Sequence, residues 1–589
     1  MDAMNISTKL PEGPHAAHWP AGVPATLDLP DESLWAGFER RVVAEPDPVA
    51  LDFLGRSFSW RELHASALRL AAALQGMGVH PGDRVLLFMQ NSPAYVIGFH
   101  AVLRAGAVVV PVNPMNKADE LGHTIADAGA AVAIATADIA PELLSAADRQ
   151  AAQPVLRHLV VVDWGDLLPP AGAGRDHWPE AWTGWLLASP PALRTTTVAL
   201  HAWRVLLARS AEPRPVNVRP TDLALLPYTS GTTGAAKGCM HTHATLMHNV
   251  VAAGPWLDMR AGDVVLVVTP MFHITGLVMG LLAGIHHGCR LVLLPRWDRL
   301  MAARAIGSQR VTHWPNIPTM VIDLLALPGI DQFDLSSLRY IGGGGAAMPE
   351  AVATQLQQRL GLTYVEGYGL TETAAPTHCN PRHATRRHCL GIPYIGTRAR
   401  VVNPDTLAEQ PVGEVGEILV CGPQVFQGYW RQDAATQQAF VEIDGQRWFR
   451  TSDLGRVDAD GYYFMADRLK RMINASGFKV WPAEVEAHLH QHPAVQEACV
   501  IAVRDPYRGE SVKALIMPRA EHRSTLRSED LIAWAREHMA AYKVPRQVEL
   551  VDALPRSASG KVLWRVLQAE EDQRRATPFP TQVASTVIA

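Results

Sequence analysis

Cysteine is scarce in this chain. Six occur in 589 residues, at positions 239, 289, 379, 389, 421 and 499, with no C-x-x-C pair and no dense block, which excludes a disulfide scaffold and fits a reducing, cytoplasmic setting. An excess of positive charge is missing too: 53 Lys and Arg face 57 Asp and Glu, a net charge of −4. No bulk field draws a polyanion, so no nucleic-acid partner is expected. The start, MDAMNISTKLPEGPHAAHWP, carries Pro, Asp and Glu where an export leader carries a basic patch and an apolar run, so export is not expected. Long apolar runs are nearly absent. The exception, Val264 to Ile285, has 22 residues without a formal charge, but Pro270, His273, Thr275 and Gly276 interrupt it. A buried strand VVLVV, a turn PMFHITG and a buried helix from Leu277 account for it without a transmembrane segment.

What is present is a hydrophobic share of 48% over a length that suits roughly four structural units. From Val85 onward, short apolar runs (RVLLFM, AVVVPV, HLVVVDW) alternate with Ala/Leu-rich segments of helical period, the βαβ rhythm of a mostly parallel sheet. The fold class is therefore α/β. Residues of about 165 to 220, rich in Pro, Gly and Trp, break the rhythm and read as an inserted surface excursion with a helix around Ala199 to Ala208. Beyond Pro411, shorter strands with Gly turns predict a β-rich subdomain. A fresh α+β pattern runs from 471 to about 568, and the polar, Pro-containing remainder, 569–589, reads as a flexible tail.

The most informative segment is LPYTSGTTGAAKGCMHTH, residues 226 to 243. An apolar strand feeds a run of Thr, Ser and Gly that ends in Lys237, and a helix is predicted from near His243. Small residues let backbone N–H groups approach phosphate oxygens, hydroxyls add donors, and Lys237 adds a cation. A flexible surface loop has the same composition; the position after a buried strand argues against that. It is not a Walker A loop, because Ala236 stands where Gly must precede the Lys. In YVEGYGLTETAAP, Tyr368 lies between Gly367 and Gly369, free to offer its ring to a planar base, with Thr371 and Glu372 placed to meet a phosphate and Mg²⁺. In LPRSASGKVLW, Lys561 sits in a Ser/Gly loop from which a cation can enter and leave a site. Read singly, the Gly-turn pair and the loop Lys are more often structural or merely solvated.

Together these segments resemble the acyl-adenylate-forming enzymes: acyl-CoA synthetases, the adenylation domains of peptide synthetases and firefly luciferase. The resemblance extends from about residue 33 to 568, with YTSGTTGAAKG, PMFHITG, IGGGGAAMPE, YVEGYGLTET, FRTSDLG, ADRLKRMINASGFKVWPAEVE and PRSASGK in family order. It implies a large domain, 33–470, of two βα sheet subdomains and a β-rich subdomain. A small mobile α+β domain, 471–568, and an N-terminal extension, 1–32, complete it. It further implies that Thr229, Ser230, Gly231, Thr232, Thr233, Gly234 and Lys237 hold the pyrophosphate end of ATP. Glu366, Gly367, Tyr368 and Gly369 would frame the adenine, with Asp453 and Arg468 on the ribose. Of the catalytic set Lys561, Thr371, Glu372 and His273, Thr371 would contact the α-phosphate, Glu372 Mg²⁺, and Lys561 the reacting carboxylate and phosphate. Lys470 would be the hinge, and Ser476, Gly477 and Phe478 would line the path of coenzyme A. The acyl pocket would include His273, Gly342, Gly343, Gly344, Gly345 and Ala347.

The implied partners are ATP, coenzyme A and a small carboxylic acid, with peripheral membrane contact allowed and the chain a monomer or homodimer. Missing side chains along Gly342 to Ala347 suggest room for a medium or long acyl chain. An amino acid is not expected, because MFHITG offers His273 where amino-acid activators hold the amine. An aryl acid, against the wall of Phe272 and His273, remains an alternative, as does transfer of the acyl group to a carrier protein. Two other readings compete. Gly342, Gly344 and Ala347 fit G-x-G-x-x-[GA] after the strand LRYI, with Glu366 nineteen residues on, but a dehydrogenase leaves the other motifs without a role. CNPRHATRRHC brings Cys379, His383, His388 and Cys389 together at no established zinc spacing.

Overall fold

The computed structural model describes residues 11–150, 152–170, 175–229, 236–468, 471, 473–475, 478–480, 482–505, 509–539, 542–556 and 562–576. Two large sheets form the body. One runs Ile392–Pro393, Ala375–Cys379, Val365–Leu370, Tyr340–Gly343, His313–Asn316, Val264–Val267, Arg290–Leu293, Val49–Phe53, Arg56–Ser59. The other runs His241–Thr242, Leu223–Leu225, Val108–Val112, Arg84–Phe88, Val132–Thr136, His158–Val162, Ala199–Ala202. Their central strands are parallel and buried along their length, which is why they read as unbroken apolar runs: helices cover both faces. A third sheet joins Arg398–Val402, Gly416–Cys421, Gln446–Val457, Phe440–Ile443 and Tyr463–Arg468, all antiparallel. The small domain folds on a fourth sheet of Phe478–Val480, Ile473–Ala475, Gly509–Pro518, Val495–Asp505 and Gln547–Leu550.

The tempting apolar run resolves as expected into the strand Val264–Val267, a turn, and a buried helical segment that includes a π-helical stretch over Gly276–Leu282. Among the described residues no helix is long and apolar enough to cross a membrane.

Three boundaries need correction. Residues 199 to 208 are not one helix: Ala199–Ala202 is an edge strand paired in parallel with His158–Val162, and only Trp203–Leu207 is helical. Nor is 165–220 wholly a surface excursion, because Leu167, Leu168, Trp178, Trp182, Leu186, Trp203 and Leu206 are buried in the main core. The apparent tail is shorter than expected, since the helix Trp564–Ala576 continues past 568. Its buried Glu571 accepts a hydrogen bond from the buried Lys513 at 2.7 Å. At the other end, part of the extension packs on the body: Trp19 is buried edge-on to Trp256, and Ala25 accepts a hydrogen bond from the Gly396 N–H.

Candidate active site

The Ser/Thr/Gly segment is a hairpin. Tyr228–Thr229 pairs antiparallel with Lys237–Gly238, Lys237 opposite Thr229, so seven residues of chain lie between them. Ser230, Gly231, Thr232, Thr233 and Gly234 lie outside the described residues. The helix His243–Leu257 begins six residues after Lys237, so Lys237 stands in the hairpin's outgoing arm and not at a helix N-terminus. The outgoing arm runs beside residues 428–430: Cys239 bridges Tyr429, and the Met240 and Trp430 N–H groups donate to Gly428 and Gly238. That register brings the Lys237 ammonium 5.0 Å from the Tyr429 ring centre. The Tyr429 hydroxyl in turn donates to Glu372 at 2.9 Å. Half-buried beside Glu372, this phenol is held above its usual pKa, first by desolvation and then by the carboxylate.

The turn carrying Thr371 and Glu372 is held from outside. It follows the strand Val365–Leu370, which turns back antiparallel into Ala375–Cys379. A Cβ on Gly369 would stand 1.9 Å from the Ala375 carbonyl oxygen, so this hairpin tolerates only glycine there. Ala374 and Ala375 sit at φ 51° and 80°, conformations that a non-glycine residue adopts at a cost of about 1–3 kcal/mol each. Hydrogen bonds offset that cost. Phe426 N–H donates to the Glu372 carbonyl at 2.8 Å. The buried Asn249 amide donates to the carbonyls of Thr373, Ala374 and Pro376 at 3.2, 2.8 and 3.2 Å.

The structure brings Tyr368 and Asp453 together. Both are buried, and the Tyr368 hydroxyl donates to the Asp453 carboxylate at 2.7 Å. Tyr368 lies opposite His378 in the hairpin, with ring centres 5.7 Å apart. Asp453 lies opposite Arg468 in the antiparallel pair Gln446–Val457 and Tyr463–Arg468. The preceding Ser452 has φ 57°, and its N–H donates to the buried Glu417, which also pairs with Arg450 at 2.5 Å. Asp453 is thus aimed by a bent strand whose bend is fixed by the buried Glu417 and its half-buried partner Arg450.

Glu366 does not point at a nucleotide. Its carboxylate accepts from the N–H groups of Met348 at 2.6 Å and Cys389 at 3.1 Å, tying two loops together, and burial raises its pKa. This removes both the adenine-framing role of its side chain and the ribose partner that a dinucleotide fingerprint would need. The glycine run is also corrected. A Cβ would lie 2.4 Å from the Val365 carbonyl oxygen at Gly342, 1.8 Å from that of Asn316 at Gly343, and 2.3 Å from that of Gly367 at Gly344. These glycines are required by neighbouring main chain, and the space they leave is already filled by protein. Gly345, Ala346 and Ala347 are exposed.

His273 is exposed on the turn before the helical segment, and its Nδ1 accepts from Thr275 N–H at 3.4 Å. The turn is set by Asn91, which accepts from Met271 N–H at 2.8 Å and donates to the Thr269 carbonyl at 3.2 Å. Sequence reading missed Asn91, Asn249 and Glu417, whose partners lie far along the chain. The residues of CNPRHATRRHC are used separately: Cys389 faces the Tyr463 carbonyl, and His388 stands 3.6 Å from Glu350. Arg468 and Phe478 stand in strands, but their side chains, like Lys470, Ser476, Gly477 and Lys561, lie outside the described residues.

Residues 38–430 match the family described as AMP-binding enzyme, and residues 484–561 its C-terminal domain. A long-chain-fatty-acid–CoA ligase of Bacillus subtilis is 34% identical over 564 residues, 95% of this chain and 98% of that protein. A feruloyl-CoA synthase of an Amycolatopsis species is 36% identical over 526 residues, 89% of this chain and 96% of that protein. The ATP-bound structure of MatB from Rhodopseudomonas palustris superposes with a TM-score of 0.75 at 27% identity, covering 92% of this chain and all of that one.

Proposed function

The chain belongs to the AMP-binding enzymes, and from that premise we propose that it is an ATP-dependent acid–CoA ligase whose acid is a medium- or long-chain fatty acid. The carboxylate attacks the α-phosphorus of ATP, giving acyl-AMP and pyrophosphate. The thiol of coenzyme A then attacks the acyl carbon, giving the thioester, a proton and AMP. The observation that supports this best is the meeting of three sequence-distant motifs, Lys237 with Tyr429 and Glu372 on one side and Tyr368 with Asp453 on the other.

In this reading the hairpin from Thr229 to Lys237 grips the pyrophosphate end of ATP and Tyr368 stacks on adenine. Asp453 accepts from the ribose hydroxyls, helped by Arg468, since two vicinal hydroxyls suit a carboxylate's two oxygens. Thr371 contacts the α-phosphate. Glu372 suits Mg²⁺: it is a hard oxygen ligand, and an ion that keeps its waters and takes one carboxylate beside substrate phosphates needs no larger protein cage. When bound, Mg²⁺ spreads the phosphate charge so that a weak carboxylate nucleophile can attack. Lys561 adds a cation during adenylation, Lys470 is the pivot, and Gly477 leaves a path for the thiol. Two steps at one acyl carbon need different neighbours, which is the use of a separate small domain. A cytoplasmic location accompanies this reading.

The feruloyl-CoA synthase relative, together with the filled space beside Gly342 to Gly344, supports an aryl acid as the second reading. The test is AMP release over acids of increasing chain length and over cinnamate analogues, with and without coenzyme A. Each methylene buried in an apolar tunnel contributes about 0.8 kcal/mol, roughly fourfold in kcat/KM, until the tunnel ends. A rise and fall with chain length is expected. A flat response to fatty acids beside strong turnover of cinnamates would transfer the assignment to aryl acids, and ADP as product would overturn adenylation itself.

A further inference from the structure

One donor to the Thr371–Glu372 turn comes from the phosphate hairpin's own arm. His241, four residues beyond Lys237, is fully buried, and its Nε2 lies 2.7 Å from the Thr371 carbonyl oxygen. A carbonyl oxygen only accepts, so the proton sits on Nε2. Nδ1, 3.2 Å from the Thr245 hydroxyl, is then an acceptor, sharing that hydroxyl's one proton with the Thr242 carbonyl at 3.0 Å. Burial keeps the ring neutral and so preserves this single donor and single acceptor. The strand Lys237–Gly238 and the strand His241–Thr242 lie in different sheets and are joined directly by Cys239 and Met240. The distance between Lys237 and the turn that bears Glu372 is therefore set at one end by the hairpin register and at the other by this imidazole. Asn249 holds the later carbonyls of the turn from the helix His243–Leu257, and Phe426 ties the turn to the hairpin's arm only indirectly, through the Gln427 N–H on the Met240 carbonyl; His241 is the tie that the arm makes with its own side chain.

We propose that His241 is a positioning residue for adenylation: its Nε2–H fixes the Thr371–Glu372 turn against the phosphate hairpin, so that the cation and the carboxylate meet the same phosphates. The proposal rests on the adenylation reading above. Its consequence is selective. Loss of the donor should loosen the register between the phosphate grip and the Glu372 carboxylate, while the ring's packing volume and the later step, which needs only acyl-AMP and thiol, are unaffected.

The experiment compares His241→Leu and His241→Gln in the full-length chain. Leu keeps the bulk without the donor; a Gln side-chain N–H reaches about as far as Nε2. Binding of ATP and of Mg·ATP is measured by titration calorimetry, pyrophosphate exchange is measured against Mg²⁺, and thioester formation is measured from supplied acyl-AMP. For His241→Leu the expected result is on the order of a tenfold fall in exchange, as for loss of one well-aligned hydrogen bond. The Mg²⁺ half-saturation should rise, Mg·ATP should lose affinity relative to ATP, and thioester formation should stay within about twofold. His241→Gln should recover most of the exchange. Unchanged Mg²⁺ dependence in His241→Leu, equal loss of both half-reactions, or no difference between Leu and Gln would overturn the proposal. If the unmodified chain exchanges with no acid, it is the adenylation reading that fails, and the ATP and Mg·ATP affinities of the variants still decide the role of His241.

Discussion

The corner of the large body around Lys237, Tyr368 and Glu372 and the small domain from Arg471 onward hold their polar residues in opposite ways. In the large body the contacts at the site itself are made by neutral, buried donors from elsewhere, Tyr368 on Asp453, Asn249 on three carbonyls and His241 on Thr371, with one ion pair, Glu417 with Arg450, behind Asp453. Around it the buried histidines His100, His241, His243 and His248 have pKa values lowered to about 4, and His378 to about 3, all by desolvation first. In the small domain the polar interior is ionic. Lys513 meets Glu571 and Glu549, both at 2.7 Å, and Arg471 pairs with Glu486. The loop that bears Lys561 is anchored at its two ends, where Arg556 bridges Val562 and Leu563 N–H donates to the Pro555 carbonyl. Behind it, Gln568 on the helix Trp564–Ala576 exchanges two 2.9 Å hydrogen bonds with the Ala502 main chain. The contrast separates two tasks. In the proposed function the body holds one geometry in one place, and the small domain carries a cation in and out as a unit.

The strongest way to break that contrast is to remove the ionic anchor. Lys513→Met leaves Glu571 buried without its partner, and breaking a buried pair from one side costs about 3–5 kcal/mol. The small domain should unfold and be cleaved by protease first, while the body still binds AMP; a single joint unfolding transition would show that the two regions are not independent. Lys561→Ala sharpens the contrast without unfolding anything. Loss of one preorganised cation is worth roughly 3–4 kcal/mol, a 10² to 10³ fall in adenylation, with thioester formation from supplied acyl-AMP preserved. Single-turnover kinetics of the two half-reactions decide it, and equal losses in both would refute a cation that visits only one step.

The smallest effect is per group but accumulates. A histidine whose folded pKa lies below its unfolded value near 6.5 binds its proton more readily once unfolded. Its stabilising contribution is complete above pH 6.5 and is lost as pH falls towards about 4, with a slope of up to about 1.4 kcal/mol per pH unit for each. The body should therefore lose stability between pH 6.5 and 4. In the small domain Glu549, lowered by its hydrogen bond to Lys513, contributes above its unfolded value of 4.5 and loses that contribution only below it. Denaturant midpoints of each region against pH would check the order, which fails if the small domain yields first.

Much of this was legible in the chain because the signals are local. Parallel strands buried on both faces must be apolar throughout, so RVLLF and VVVPV announce themselves. The phosphate hairpin shows as a cluster of small and hydroxylated residues after a strand. Misreadings came where a residue's reason lies across space. ALHA at 199–202 carries no strong strand signal and is a strand because the edge of His158–Val162 offers it a partner. The tryptophans of 165–220 looked like an excursion and are core. Gly342, Gly343 and Gly344 looked like an emptied pocket and are a tightly packed sheet. Glu366 looked like a ligand and is a tie between loops.

By itself the sequence determined the chemistry available: which segments can offer N–H groups to phosphate, where a carboxylate, a phenol and two lysines stand along the chain, and the α/β rhythm that carries them. Those properties belong to covalent structure and to short-range periodicity, and they survive without knowledge of any contact. Only the tertiary structure decided which of the groups meet. Tyr368 reaches Asp453 across 85 positions, and His241 reaches Thr371 across 130. Such pairs form because burial leaves each polar group a choice between a protein partner and a desolvation penalty, and the partner within reach is chosen by the packing of whole sheets, which no local stretch of sequence contains.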